Sequence, residues 1–267
     1  MKTTTLTKKL SQIISMTVGA FMALSAMQVH ADTSLTETSL SKYEQENLKF
    51  GSVTKTAVNT GAYQVQEGTG TPFWVYCLDP LTYLSSQNSY TTTTLSSFVS
   101  SGYTALFNTA AYQARGVKNQ YDDANTTTTT VLNKLTELYS HAYADSLTSV
   151  DKSAAFQYAI WEIEGDAVNY SGTSGGLQYL SSATTAFKDQ VNTYLTALNT
   201  GSWGALSAVT NYIYTVYKSS TLGNSQTVLR VTQAPSNKVP EPSTMLLLGI
   251  GILALGASRH AAKATKG

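Results

Sequence analysis

The sequence has little cysteine and little histidine, which are two of the residue types that most often carry chemistry. It contains one cysteine, Cys77, and three histidines among 267 residues. A single cysteine excludes an internal disulfide and leaves a thiol to be explained. His141 is the one histidine between residues 32 and 242. The carboxylates of the sequence are scattered and show no metal-ligand spacing relative to it. No phosphate-binding loop is present, so we expect neither a metal nor a cofactor.

Charged residues are also scarce, at 12% of the chain, and they show no basic excess. Three of the 17 basic residues precede Asp32 and three follow Pro242, which leaves 11 against 16 acidic residues and a net charge of −5 between them. This balance argues against nucleic acid or an anionic membrane as the ligand. Abundant Ser, Thr and Tyr predict a polar, weakly charged surface of the kind found on secreted adhesive proteins.

The N-terminal sequence is typical of an export signal. A lysine-containing start is followed by an apolar stretch at residues 13–27 and by Val29-His30-Ala31, a typical cleavage site. We therefore predict a signal peptide at residues 1–31. A membrane anchor is the alternative, but the stretch is shorter than the roughly 20 residues that span a bilayer comfortably.

The C-terminus carries a second signal. The residues Val239, Pro240, Glu241 and Pro242 precede an apolar run at 245–257 and a basic tail. This arrangement resembles the PEP-CTERM sorting signal that exosortases process. The resemblance implies a Gram-negative bacterium, cleavage near the Pro-Glu-Pro motif and delivery to the cell surface or extracellular matrix. It also implies membrane contact only through a C-terminal sorting helix, within a sorting segment at 236–267. A plain C-terminal membrane anchor is the alternative.

One domain is expected at residues 32–235. Apolar patterns predict strands at 62–66, 73–78 and 227–232. Helices are predicted at 104–115, 129–143, 149–164 and 183–198, while 206–217 is ambiguous. The fold class is therefore α+β, a sandwich or barrel-like β-strand core with a helical insert.

Two segments could bring chemistry together. The strand 73–78 is apolar on both faces, which predicts a buried central strand containing Cys77. The helix 149–164, capped by Asp151 and ended by Gly165, places Gln157 on one side with Ile160, Trp161 and Glu164. A thiol that meets a Gln carboxamide in a dry, rigid site can expel ammonia and leave a thioester. The thiol would need a base or a positive local potential. Candidate bases are Asp79, Glu162 and Glu164.

The two segments resemble the signature motifs of bacterial thioester domains, which occur on surface adhesins. The matching residues are Tyr76-Cys77-Leu78-Asp79 and Gln157-Tyr158-Ala159-Ile160-Trp161, with Phe156 where the family usually has Thr. The resemblance implies a Cys77–Gln157 cross-link supported by Tyr76, Asp79, Ile160 and Trp161. It implies covalent, single-turnover capture of amines such as lysine side chains or polyamines rather than enzyme turnover. Adhesion or biofilm matrix attachment would follow.

Two other functions remain open from the sequence. The chain could be a passive matrix or glycan-binding protein in which Cys77 is an inert small hydrophobe. It could also be a cysteine hydrolase or transferase with Cys77 as nucleophile and His141 as base.

Overall fold

The computed structural model describes residues 33–51, 53–80, 82–85, 89–102, 127–165, 169–220 and 225–235. The predicted signal peptide, the predicted helix 104–115 and the sorting residues Val239, Pro240, Glu241 and Pro242 lie outside these ranges. The chain divides into two compact units, Met1–Thr232 and Gln233–Gly267. The elements below belong to the first unit, apart from the final residue of the last strand. The domain boundaries placed at residues 31 and 235 stay predictions.

In the described ranges, eight β-strands form a sheet that closes on itself. They are β1 Thr33–Glu37, β2 Lys42–Phe50, β3 Val53–Glu67, β4 Phe73–Cys77, β5 Ser89–Thr94, β6 Leu177–Tyr179, β7 Tyr212–Ser219 and β8 Val228–Gln233. Their order is β1-β5-β7-β8-β4-β3-β2-β6, and β1 also pairs with β3. That additional pairing joins β1, β5, β7, β8, β4 and β3 into a ring. Strand β2 extends from this ring along the first part of β3, and β6 pairs with the end of β2. The sheet is therefore barrel-like, which is one of the two architectures, sandwich or barrel-like, that the sequence leaves open.

Three long helices follow the first five strands. They are α1 Thr128–Ser146, α2 Val150–Gly165 and α3 Thr185–Thr200. Threonine side chains cap α1 and α3, and α3 ends at Gly201, which adopts a left-handed conformation with φ 69°. Strands before and after a helical stretch make the fold α+β, so the predicted fold class is confirmed.

Helix α2 is the centre of the molecule. It packs against β2, β3 and β4 on one side and against α1 and α3 on the other. Every residue from Ser153 to Gly165 is consequently buried, whereas α1 and α3 bury only a stripe. The predicted boundaries of α2 agree with the structure to within one residue. The predicted cap is wrong: Ser149 rather than Asp151 accepts the hydrogen bond from the Lys152 backbone N–H, at 3.2 Å.

Strand β4 is central and buried, as its pattern predicts. It pairs with β3 through Tyr63–Val75 and with β8 through Cys77–Val228. Cys77 is its last residue, so the cysteine stands where the strand ladder ends next to α2. The ambiguous segment 206–217 contributes the start of β7 rather than a helix.

Candidate functional site at the end of strand β4

Cys77 and Gln157 are in direct contact in the protein interior. The Cys77 backbone N–H donates to Gln157 Oε1 at 2.7 Å, and Gln157 Nε2 donates to the Cys77 carbonyl oxygen at 2.8 Å. Both residues are 0% exposed. The Gln carboxamide thus pairs with the backbone of Cys77 as a neighbouring strand would. The two residues are 80 positions apart in the chain, and the fold brings them together.

A second contact one turn earlier fixes this arrangement. Ser153 Oγ accepts from the Ala62 backbone N–H at 2.8 Å and lies 3.1 Å from the Tyr76 hydroxyl oxygen. That hydroxyl also lies 2.7 Å from Ser146 Oγ, on the last residue of α1. Because Ser153 precedes Gln157 by one turn and Tyr76 adjoins Cys77, these bonds hold the helix and the strand in register. Tyr76 therefore supports the site, and its burial raises the pKa of its phenol.

The thiol itself points to a residue that the sequence motifs do not include. Cys77 Sγ donates to Gln226 Oε1 at 2.8 Å, and Gln226 Nε2 donates to the Asp79 carbonyl oxygen at 3.3 Å. Gln226 is buried and lies just before β8. Cys77 therefore has two glutamine carboxamides around it, one on its backbone and one on its sulfur.

The electrostatic environment keeps the thiol protonated. Burial raises the pKa of Cys77 well above its ordinary value, and the nearby carboxyl groups of Asp79, Glu164 and Glu37 raise it further. The expected positive potential is therefore absent from the described surroundings of the sulfur. A neutral thiol fits its role as the donor to Gln226 Oε1.

The three candidate bases have different surroundings. Glu162 Oε1 accepts from the Ser171 backbone N–H at 2.8 Å, which holds one of its oxygens on the loop that leads to β6. Asp79 is buried two residues after Cys77. Glu164 is 0% exposed, and neither of its carboxyl oxygens has a hydrogen-bond partner among the described residues. Burial, followed by the charge of Asp79, raises the pKa of Glu164 well above its ordinary value.

Aromatic and aliphatic side chains exclude water from the site. Ile160 and Trp161 are 0% exposed, and the Trp161 ring meets the edge of Phe50 at 6.1 Å between centroids. Phe156, at the position where the resembled family usually has Thr, packs against the Tyr76 ring at 4.6 Å. Phe156 thus fills the space beside the site with a ring rather than offering a hydroxyl group.

His141 does not join this site. Its Nδ1 lies 2.8 Å from the Leu206 carbonyl oxygen, and its ring stacks on Trp203 at 4.7 Å between centroids. Within the described ranges no hydrogen bond links His141 to Cys77. The pairing that a cysteine hydrolase requires is therefore not formed.

The described part of the chain has neither a candidate metal site nor a candidate membrane span. No group of three or more His, Cys, Asp or Glu side chains in that part could hold a metal ion. Nor does any helix there have the length and hydropathy needed to cross a membrane. The apolar run at 245–257 lies outside the described ranges.

Comparison with known proteins identifies the C-terminal signal. Residues 238–259 match the family model of the PEP-CTERM protein-sorting motif, which confirms that part of the resemblance. A motif of this kind implies exosortase processing, export, and a location at the surface or outside the cell. No curated protein matches the chain.

One similar solved structure is the N-terminal thioester domain of the fibronectin-binding protein SfbI from Streptococcus pyogenes. The aligned region covers 75% of this chain and 98% of that domain, with 14% sequence identity and a TM-score of 0.39. A similarity at this level carries no inference about function.

Proposed function

We propose that Cys77 and Gln157 form an internal thioester and that the protein is a surface adhesin-like molecule that captures amines covalently. The observation that carries the proposal is the double hydrogen bond between the Gln157 carboxamide and the Cys77 backbone, inside a fully buried site. These bonds hold the carboxamide against the residue that carries the thiol. The sorting motif supports a role at or beyond the cell surface.

Thioester formation joins Cys77 Sγ to the Gln157 carbonyl carbon Cδ. The sulfur leaves Gln226 Oε1 and attacks Cδ, the C–N bond of the carboxamide breaks, and the nitrogen departs as ammonia with the thiol proton. Strand β4 and helix α2 hold the two groups rigidly, which reduces the entropic cost of bringing Sγ and Cδ together. The product is uncharged, so the burial that disfavours a thiolate does not disfavour the thioester.

The proton transfer needs a carrier, because the buried thiol is neutral. The carboxyl groups of Asp79 and Glu164 both influence the pKa of Cys77. In the proposed reaction whichever of them is ionised accepts the thiol proton during attack and returns it to the departing nitrogen. This role resembles general acid–base catalysis, although it acts once on the protein itself.

Amine capture transfers the Gln157 acyl group from sulfur to nitrogen. A neutral primary amine attacks the Gln157 carbonyl carbon, an amide forms, and the bond to sulfur breaks. The amine proton passes to Cys77, which becomes a free thiol again. Each molecule reacts once, so the protein is a self-modifying binder rather than an enzyme. Lysine side chains of surface or matrix proteins and polyamines have the required chemistry, and adhesion or attachment to a biofilm matrix would result.

Methylamine incorporation tests this function. The native protein should gain one methylamine at Gln157 and release one titratable thiol at Cys77 in equal amounts. Neither Cys77→Ala nor Gln157→Ala should react. A native protein that takes up no methylamine and already has a titratable thiol would assign Gln157 a purely structural role. It would favour the passive matrix-binding alternative, for which the backbone-bonded carboxamide is also suitable.

A further inference from the structure

A cavity of about 160 Å³ opens beside the site. Its exposed rim includes Thr56 and Tyr83, the latter with 76% of its surface exposed. Its buried wall includes Tyr63, Pro80, Thr82 and Gln226. The cavity therefore runs from the surface to Gln226, the residue whose Oε1 lies 2.8 Å from Cys77 Sγ.

Backbone contacts hold this wall together. The Gln226 N–H donates to the Tyr83 carbonyl oxygen at 3.1 Å, and the Ser85 N–H donates to Ser225 Oγ at 2.8 Å. The segment after β4 and the segment before β8 thus lie side by side. Because one contains Tyr83 at the rim and the other contains Gln226 at the buried end, the rim and the sulfur contact are parts of one structure.

A β-bulge shapes the opposite rim. Between β2 and β3 the register shifts, so that Glu46 pairs with Val58 while Leu48 pairs with Lys55. The extra residue is accommodated at Ala57, which has φ 53° and whose N–H donates to Asn47 Oδ1 at 3.1 Å. Bulges of this kind often occur next to functional sites, where they redirect side chains. Here the bulge places Lys55, Thr56 and Val58 along the cavity.

We propose that this cavity is the entry route for the amine, and that it admits the alkyl chain of a lysine side chain as well as a small amine. This inference rests on the proposed thioester. An engineered cavity of about 150 Å³ in another protein holds benzene, so a cavity of this volume has room for a four-carbon chain ending in nitrogen. Gln226 closes its inner end, and displacement of that side chain from Sγ opens the way to the thioester.

The partial burial of the lining suits a nucleophile. The cavity is lined by buried residues together with the half-buried Lys55 and Val58. Partial desolvation favours the neutral form of an entering amine. The neutral form is the one that attacks a carbonyl carbon.

The test compares two amines and two tryptophan variants of the mature protein. Methylamine is the small probe, and Nα-acetyl-lysine is the long probe. Thr56→Trp narrows the rim of the cavity at an exposed position. Thr54→Trp is the matched control, because Thr54 is an exposed residue of the same strand that does not line the cavity. Adduct formation is followed by intact mass, which also reports whether each variant has lost one ammonia beforehand.

The measured quantity is the rate constant for Nα-acetyl-lysine divided by that for methylamine. Thr56→Trp should lower this ratio about tenfold or more, as expected for the loss of steric fit in a small pocket, while Thr54→Trp leaves it unchanged. An unchanged ratio in Thr56→Trp, or an equal fall in Thr54→Trp, would overturn the entry route while leaving the thioester intact. A native protein that has lost no ammonia would refute the thioester and the entry route together.

Discussion

Opening the proposed thioester with methylamine should lower the thermal stability of the protein. The cross-link would close a loop of 80 residues between Cys77 and Gln157. For a covalent bond that closes a loop of this length, the chain-entropy model gives about 4.5 kcal/mol of stabilisation, chiefly through the unfolded state. In a domain of about 200 residues this free energy corresponds to a fall in Tm of roughly 9–18 °C.

This perturbation changes little else in the folded protein. The amine adduct restores a carboxamide at position 157 that still carries one N–H and one carbonyl oxygen. Its carbonyl oxygen can accept again from the Cys77 backbone N–H, whereas the methyl group of a trans amide takes the side of the nitrogen that donates to the Cys77 carbonyl oxygen in the free side chain. A substitution of Gln157 by an apolar residue would instead leave both the N–H and the carbonyl oxygen of Cys77 unpaired. The cost of those lost hydrogen bonds would then be mixed with the loss of the cross-link.

The assay is thermal unfolding followed by circular dichroism, before and after methylamine treatment and removal of excess amine. Cys77→Ala, treated in the same way, is the control and should show the same Tm in both samples. If the treated protein carries the adduct but its Tm is unchanged, the thioester does not stabilise the fold by restricting the unfolded chain.

Three further predictions concern single substitutions. Gln157→Glu should keep its full mass and take up no amine, because the side chain has no nitrogen to expel; intact mass spectrometry before and after methylamine checks this. Glu46 is buried, and burial followed by the charge of Glu44 raises its pKa to about 7. Because the pKa of Glu46 is raised in the folded state, its contribution to stability is fully present below pH 4.5, the usual pKa of a glutamate side chain. That contribution is lost as the pH rises through about 7. Glu46→Gln should therefore flatten the pH dependence of urea unfolding between pH 4.5 and 7, and an unchanged slope would argue against a raised pKa. In its native cell, Glu241→Ala should leave the C-terminal segment attached, as peptide mapping of the exported protein would reveal; normal processing of this variant would separate the motif from cleavage.

The central pair of the site could be predicted from sequence because each member lies in a strongly patterned segment. Strand β4 is apolar on both faces, which marks it as buried. Helix α2 has an apolar run that ends at Gly165, so its bounds are accurate to within one residue. These patterns do not pair the two segments; the expected contact between Cys77 and Gln157 comes from their resemblance to the two signature motifs of thioester domains.

Gln226 could not be predicted in this way. It lies 149 residues from Cys77, in the polar segment Ser225-Gln226-Thr227, and no local pattern marks it. Its contact with the sulfur arises because β8 pairs with β4, and such a pairing between distant strands is a property of the whole fold. Ser153 and Ser146 were missed for a similar reason, since a serine on a helix usually faces solvent.

Strand β2 shows how charge can conceal a strand. Its inward-facing residues Glu46, Leu48 and Phe50 alternate with outward-facing ones, which is the pattern expected for a half-buried strand. Glu46 interrupts the apolar series, so the alternation is hidden in the sequence. The elevated pKa of this carboxyl group is the physical consequence of its burial.

The protonation state of the thiol also depends on tertiary structure. Motif chemistry predicts a base or a positive potential near Cys77, and the charged groups that affect the pKa of its thiol are carboxyl groups. Burial is the largest cause of the raised pKa, and burial depends on how α2 packs between the sheet and its neighbouring helices. Formation of a neutral thioester is compatible with that environment, whereas a stored thiolate is not.

The intact mass of the purified mature protein, measured under denaturing conditions without added amine, tests the thioester most directly. If the thioester is present, the measured mass is lower by one ammonia than the mass calculated from the sequence. The Cys77→Ala variant should have the full mass calculated from its own sequence. A native protein with the full sequence mass and a freely titrating Cys77 thiol would contradict the proposed thioester.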